Sequence, residues 1–202
     1  MIPHFVGKNI IDDFIKNDAT LFPKTTFLWN TYYASNLLFP LFKPNFLVSS
    51  LAHLLVSELI SPKKTSGKYV WLQPTPPSTQ VLGLGDQNFN VGPFALAIVK
   101  KPELTLPGKF VLATVESTTT GKLLEDWSNV TGKESEYIQI SLDDFNRLWP
   151  SWGLEMGEML KFWEEAGDKS WSGEEVITKE DLGLEVPLVT IKQAFESFDW
   201  GL

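Results

Sequence analysis

The chain has 202 residues, 43 % of them apolar, with eight Trp and fourteen Phe, enough to fill one sizeable core and too apolar for a disordered chain. Seventeen basic against 25 acidic side chains leave a net charge of −8, which argues against a general nucleic-acid surface or an anionic membrane surface. The absence of cysteine excludes disulfides, thiolate metal sites and cysteine nucleophiles, and two histidines, His4 and His53, are too few for a multi-histidine metal site.

The N-terminus, MIPHFVGKNIIDDF, lacks the basic and then apolar blocks of a secretory leader. Residues 37–60 are interrupted by Pro40, Lys43, Pro44, His53 and Glu58, so no clean bilayer-spanning run exists. A soluble, cytoplasmic protein is the expectation. Ile10, Ile11, Phe14 and Ile15 recur at helical spacing and predict a helix over 8–17. Phe22 to Asn30, with TTFLWN at its heart, reads as a buried strand, and Tyr32 to Leu38 as a short helix stopped by Pro40. Residues 45–60 have an amphipathic helical pattern, and 61–67 form a turn. A strand at Tyr69–Leu72 precedes the proline-rich loop QPTPPSTQ, and Val81–Leu84 is a further short strand. Asn90 is expected to cap the helix that carries Phe94, Leu96, Ala97, Ile98 and Val99, which places Pro93 in its first turn.

KFVLATV, 109–115, reads as a strand. Ser117-Thr118 is expected to open a helix with Leu123, Leu124, Trp127 and Val130 inward and Gly132 closing it. EYIQI, 136–140, is a strand, and Ser141 with Asp144 forms a capping box for the next helix. A helix with Leu154, Met156, Met159, Leu160 and Trp163 ends near Gly167. Thr190 and Gln193 cap a last one, with Ile191, Ala194, Phe195 and Phe198 inward. Strands alternating with helices, without a linker or repeat, indicate one domain over 1–202 of α/β or α+β class; the few short strands and the mostly helical C-terminal third are read as α/β, a partial Rossmann-like sheet with a helical substrate-side lobe.

VLGLGDQNFNVGPF, 81–94, nearly spells the dinucleotide fingerprint G-x-G-x-x-G through Gly83, Gly85 and Asn88. The third glycine is replaced by Asn88, the following helix is expected to start only at Asn90, and Glu103 lies in the loop KKPELTLPG rather than after a second strand. The reading is a strand-to-helix turn, with no cofactor bound by it. His53, on an apolar helix face, reads as a core or edge histidine, and the acidic pairs as solvated faces or helix starts.

PHFVGK (3–8), TTFLWNTYYASNLL (25–38), GDQNFNVGPFALAIVKKP (85–102), LPGKFVLATVESTTTGKLLEDWSNVTGK (106–133) and LWPSWGLEMGEMLKFWEE (148–165) together resemble the NmrA-like family of atypical short-chain dehydrogenases, in its fungal branch. The resemblance covers the later portion of that family's fold. It implies a chain lacking the N-terminal dinucleotide-binding half, whether a complete product or a fragment of its gene. No cofactor is then expected, NADP entering only if the missing half is supplied elsewhere.

Within the resemblance, Lys8 matches a lysine that reductase relatives use near the nicotinamide, where a buried ammonium polarises a carbonyl or donates a proton. Lys8 and Tyr33 are the candidate catalytic residues. His4, Phe5, Tyr32, Asn36, Gly85 and Asp86 are the candidate substrate-binding residues, with Gly85 and Asp86 at the cleft mouth and Asn90 and Gly92 at the helix start. Three functions remain open. One is an accessory enzyme of fungal specialised metabolism doing non-redox proton transfer on a hydrophobic small molecule. The second is an NAD(P)-dependent oxidoreductase completed elsewhere, and the third a non-catalytic regulator. An open flank on TTFLWN implies a homodimer or a partner chain covering that edge.

Overall fold

The computed structural model describes residues 3–46, 68–150, 152–170 and 175–202. Along the chain run α1 (Pro3–Lys16), β1 (Thr26–Asn30), β2 (Tyr32–Tyr33), β3 (Asn45–Phe46), β4 (Tyr69–Gln73), β5 (Gln80–Gly85), α2 (Gln87–Lys100) and α3 (Pro102–Thr105). They are followed by β6 (Lys109–Ala113), β7 (Glu116–Thr119), α4 (Thr120–Thr131), β8 (Ser135–Gln139), α5 (Leu142–Leu148), α6 (Gly153–Ala166), β9 (Val176–Ile177) and α7 (Ile191–Ser197).

The described strands form three small sheets, ordered β1-β6-β9, β2-β5-β7 and β3-β4-β8. The first is wholly parallel, and β4 pairs β8 and β2 pairs β5 in parallel, whereas β5/β7 and β3/β4 are antiparallel. Parallel strands are covered on both faces, and β6 has four successive buried residues, Phe110 to Ala113, as that requires. The chain passes from the first sheet to the second through Thr31, whose N–H donates to the Ala113 carbonyl (3.4 Å), and Val115, whose N–H donates to the Gly83 carbonyl (2.8 Å). The α/β class read from the sequence is the observed one. β1, the TTFLWN strand, is the outer strand of its sheet among the described residues.

Several local expectations are revised. α1 begins at Pro3, not at Lys8, and Ile10, Ile11 and Phe14 are 60–65 % exposed. The helical period is there, but the face it marks does not enter the core. Phe22–Lys24 is a 3₁₀ turn ahead of β1, and Tyr32–Tyr33 is extended, with only Ala34–Leu38 helical, as a 3₁₀ turn. The expected helix over 45–60 starts instead as strand β3, and its remainder, with His53 and the turn over 61–67, lies outside the described residues.

Ser117-Thr118 belongs to β7, because Gln80 to Gly83 offer it an antiparallel edge; Thr119 caps α4, its hydroxyl accepting the Lys122 N–H (3.2 Å). Gly132 ends α4 in the left-handed conformation, as expected. Ser141 caps α5 and Thr190 with Gln193 forms a complete capping box on α7.

The largest core cluster gathers Tyr32, Leu37, Trp71, Val81, Leu123, Trp127 and the C-terminal Ile191, Phe195 and Trp200. Trp127 and Phe195 are fully buried and Trp200 stands edge-on to Trp127 (6.0 Å), so the last helix is part of the core rather than an appendage. A second cluster centres on Leu84, Phe94 and Val111, a third on Phe42, Phe145 and Leu160.

Candidate functional site

His4 and Lys8 are one turn apart on α1, which puts them on the same side of the helix. Lys8 Nζ is 3.4 Å from His4 Nε2, and His4 Nδ1 is 2.9 Å from Glu155 Oε1. Glu155 stands in the first turn of α6, where the helix dipole favours a carboxylate. A carboxylate at Nδ1 fixes the tautomer with the proton there, leaving Nε2 to accept from the Lys8 ammonium. The His4 ring packs edge-on to Phe5 (5.3 Å), which in turn meets Phe162 of α6 (5.9 Å). Lys8 Nζ also lies 5.7 Å from the Phe5 ring centre. The result is a short chain, Glu155–His4–Lys8, against an aromatic backing.

Lys8 itself is exposed, as are its neighbours Gly7, Asn9 and Ile10, so the burial implied by the resemblance is not realised. Its ammonium uses one N–H toward His4 and keeps the others for an incoming oxygen. Glu155 is the member of this group that the sequence did not point to. It is 151 residues from its partner, and an acid in a helix's first turn is fully explained locally by the dipole.

The two tyrosines go to opposite sides of β2, as adjacent strand residues must. Tyr32 is 6 % exposed, edge-on to Phe42 (6.5 Å) and Trp163 (5.8 Å), and burial pushes its hydroxyl well above the ordinary tyrosine range. Tyr33 is half-buried against the Leu84–Phe94–Val111 cluster. Asn36 is half-buried in the 3₁₀ turn, where its carbonyl accepts the Phe39 N–H (3.1 Å). No hydrogen bond among the described residues joins Lys8 to Tyr32 or Tyr33. What the two regions share is α6, which presents Glu155 to His4 and, eight residues and about 12 Å further along its axis, Trp163 to Tyr32.

The strand–turn–helix at 80–100 is tighter than its sequence suggests. α2 starts at Gln87, capped by Asp86, whose carboxylate accepts the Asn88 N–H (2.9 Å); the expected cap, Asn90, is inside the helix, as are Gly92 and Pro93. Asn90 is fully buried because it has another task. Its amide nitrogen donates to the carbonyls of Leu84 (2.6 Å) and Val189 (2.8 Å), and its oxygen accepts the Val189 N–H (3.0 Å).

Gly85 turns with φ +75°, and a Cβ there would stand 2.0 Å from the Val189 carbonyl. The shape is that of a dinucleotide turn, but its contents do not suit one. The Asp86 carboxylate takes one of the first helical amides that a pyrophosphate would need, that of Asn88, and the Val189 main chain lies against the glycine. Gly85 and Asp86 are engaged in closing this turn.

The comparisons bear on all of this. The model of the NmrA-like family matches residues 1–181. A solved structure described as NmrA, a negative transcriptional regulator, in complex with NAD is 18 % identical with a TM-score of 0.57; 88 % of this chain is covered and 56 % of that one. The same regulator in complex with NADP is 17 % identical, TM-score 0.54, with coverage of 88 % and 56 %. A nucleoside-diphosphate-sugar epimerase from Staphylococcus aureus is 16 % identical, TM-score 0.56, with coverage of 85 % and 52 %. The chain thus spans little more than half the length of these solved chains, and at such identities the likeness establishes the fold. No curated protein matches. Among the described residues no helix is long and apolar enough to cross a membrane.

Proposed function

The chain belongs to the NmrA-like family, and from that premise we propose that it acts on a hydrophobic small molecule by proton transfer, with Lys8 as the group that meets the substrate. The observation that supports this is the Glu155–His4–Lys8 chain. Glu155 orients His4, His4 holds the lysine ammonium, and the remaining N–H groups polarise a substrate carbonyl and protonate the developing enolate oxygen while solvent water at this exposed position takes the α-proton. Phe5 and Phe162 supply an apolar flank on which a hydrophobic substrate rests. Isomerisation, dehydration or cyclisation would use such a group, and an accessory step in fungal specialised metabolism is the setting that the sequence resemblance suggests.

The test uses 2-tetralone in D₂O, with α-proton exchange followed by NMR and no nicotinamide added. The wild-type chain should catalyse exchange. Lys8→Met should lower the rate by on the order of 10²-fold, the scale of general acid–base catalysis. Exchange that survives Lys8→Met unchanged would end this reading.

A second reading, an NAD(P)-dependent oxidoreductase, draws support from the relatives solved with NAD and NADP. In that case the Asp86 cap and the Val189 main chain against Gly85 favour a seat for the dinucleotide other than this turn. A dependence of turnover on added NADPH would favour it.

A further inference from the structure

Strand β1, Thr26–Asn30, pairs with β6 on one side, and among the described residues no strand pairs with its other side. The Thr25 carbonyl accepts the Gly108 N–H (2.8 Å) and the Thr31 N–H donates to the Ala113 carbonyl (3.4 Å), so the odd-numbered residues turn their main-chain groups toward β6. Thr26, Leu28 and Asn30 turn theirs outward, and among the described residues these outward groups have no hydrogen-bond partner. The strand, TFLWN, holds no charge, proline or glycine to blunt such an edge. Its side chains divide by face. Phe27 and Trp29 share the face of Phe110, with ring centres 4.7 and 4.3 Å from it, while Leu28 packs on the opposite face against the Leu84–Phe94–Val111 cluster.

This edge is complementary to itself. With a second copy laid antiparallel about a two-fold axis at Leu28, Leu28 opposes Leu28 and Thr26 opposes Asn30 of the second copy, and every outward N–H and carbonyl finds a partner. The intervening pair sets Phe27 opposite Trp29 of the second copy, aromatic on aromatic, at the closer of the two antiparallel spacings. A slip by one residue would oppose outward groups to groups already bound to β6, so the register is fixed. We propose that the outer edge of β1 is an interface between two copies of this chain, which join antiparallel through Thr26–Asn30 into one continuous sheet. The two-fold stands perpendicular to that sheet and keeps both α1 helices on the Phe27–Trp29 side. α1 reaches that side at its end, where Lys16 Nζ lies 4.9 Å from the Phe110 ring centre, and its Ile10, Ile11 and Phe14 are exposed. A short strand pair falls short of the roughly 1,200 Å² that a specific interface buries, and these α1 side chains supply further apolar area on the same side of the sheet. Proton transfer at Lys8 does not enter this argument, and the test reads association alone.

At about 100 µM the full chain should show twice its 22.8 kDa mass by light scattering after size exclusion. Asn30→Pro changes an exposed residue and removes an outward N–H that the two-fold uses twice, so it should weaken the dimer about tenfold or more while leaving the circular dichroism spectrum unchanged. Should Asn30→Pro not fold, the absence of native cysteine allows a second measurement. Chains carrying Thr26→Cys and chains carrying Asn30→Cys, mixed and mildly oxidised, should cross-link to each other, and neither variant to itself, because only the mixed pair lies opposite across the axis. A monomer at this concentration, a dimer that Asn30→Pro leaves as tight, or cross-links within one variant as strong as between the two would each overturn the proposal.

Discussion

Replacing Asn90 by alanine tests how the strand–turn–helix at 80–100 is held. Asn90 is 0 % exposed and makes three hydrogen bonds at 2.6, 2.8 and 3.0 Å, one to the end of β5 and two to Val189 at the entrance to α7. At about 1 kcal/mol net for each, their loss amounts to about 3 kcal/mol. With a urea m-value of about 2 kcal/mol per molar, the unfolding midpoint should fall by about 1.5 M. Amide exchange should also quicken at Val189 and Ile191, because the tether that ends next to the α7 capping box is gone. A midpoint shift under about 0.5 M would mean that the Asn90–Val189 bonds do not hold this turn closed, and the case against a dinucleotide there would lose its footing.

Two glycines with left-handed φ should separate on substitution. Gly132→Ala, with nothing within 4 Å of the new methyl, should cost about 1 kcal/mol in chemical denaturation, while Gly85→Ala, whose methyl meets the Val189 carbonyl, should cost clearly more. The Thr178 N–H and hydroxyl both donate to Asp181 (2.9 Å each) and hold its carboxyl below the ordinary 3.8. That contribution is present above the ordinary value and is lost as pH falls through the lower folded one, so the Thr178 amide resonance should shift only below about pH 4, and Asp181→Asn should abolish the shift. Burial raises the hydroxyls of Tyr32 and Tyr137 above the ordinary 10.0. The unfolded chain then ionises first, and stability should decline as pH rises past about 10; in Tyr32→Phe the decline should be shallower in alkaline denaturation curves.

What the sequence revealed about the fold was mostly local. Gly132, the Ser141–Asp144 pair and the Thr190–Gln193 box are resolved within four residues of chain, where side chain and backbone are certain to meet. Asn90 was misread for the same reason: it is a good cap by type, but its partner Val189 is 99 residues away, and the neighbouring Asp86 caps just as well. Ser117-Thr118 has cap chemistry too, yet an open strand edge at Gln80–Gly83 claims it for β7. In the candidate site, His4 and Lys8 were both marked by the resemblance, but their place one turn apart on a helix was not, because the helix was expected to start at Lys8; Glu155 could be found only once α1 was seen packed on α6.

The most direct measurement on the proposed chemistry is α-proton exchange of 2-tetralone by the 202-residue chain and by Glu155→Gln. Glu155 touches His4 and not the substrate, so its amide variant keeps the shape and weakens the hold on His4 and, through it, on Lys8. Exchange should proceed without nicotinamide in the wild type and fall about tenfold or more in Glu155→Gln. Exchange at the wild-type rate in that variant, or none at all until NADPH is supplied, would contradict proton transfer through Glu155, His4 and Lys8.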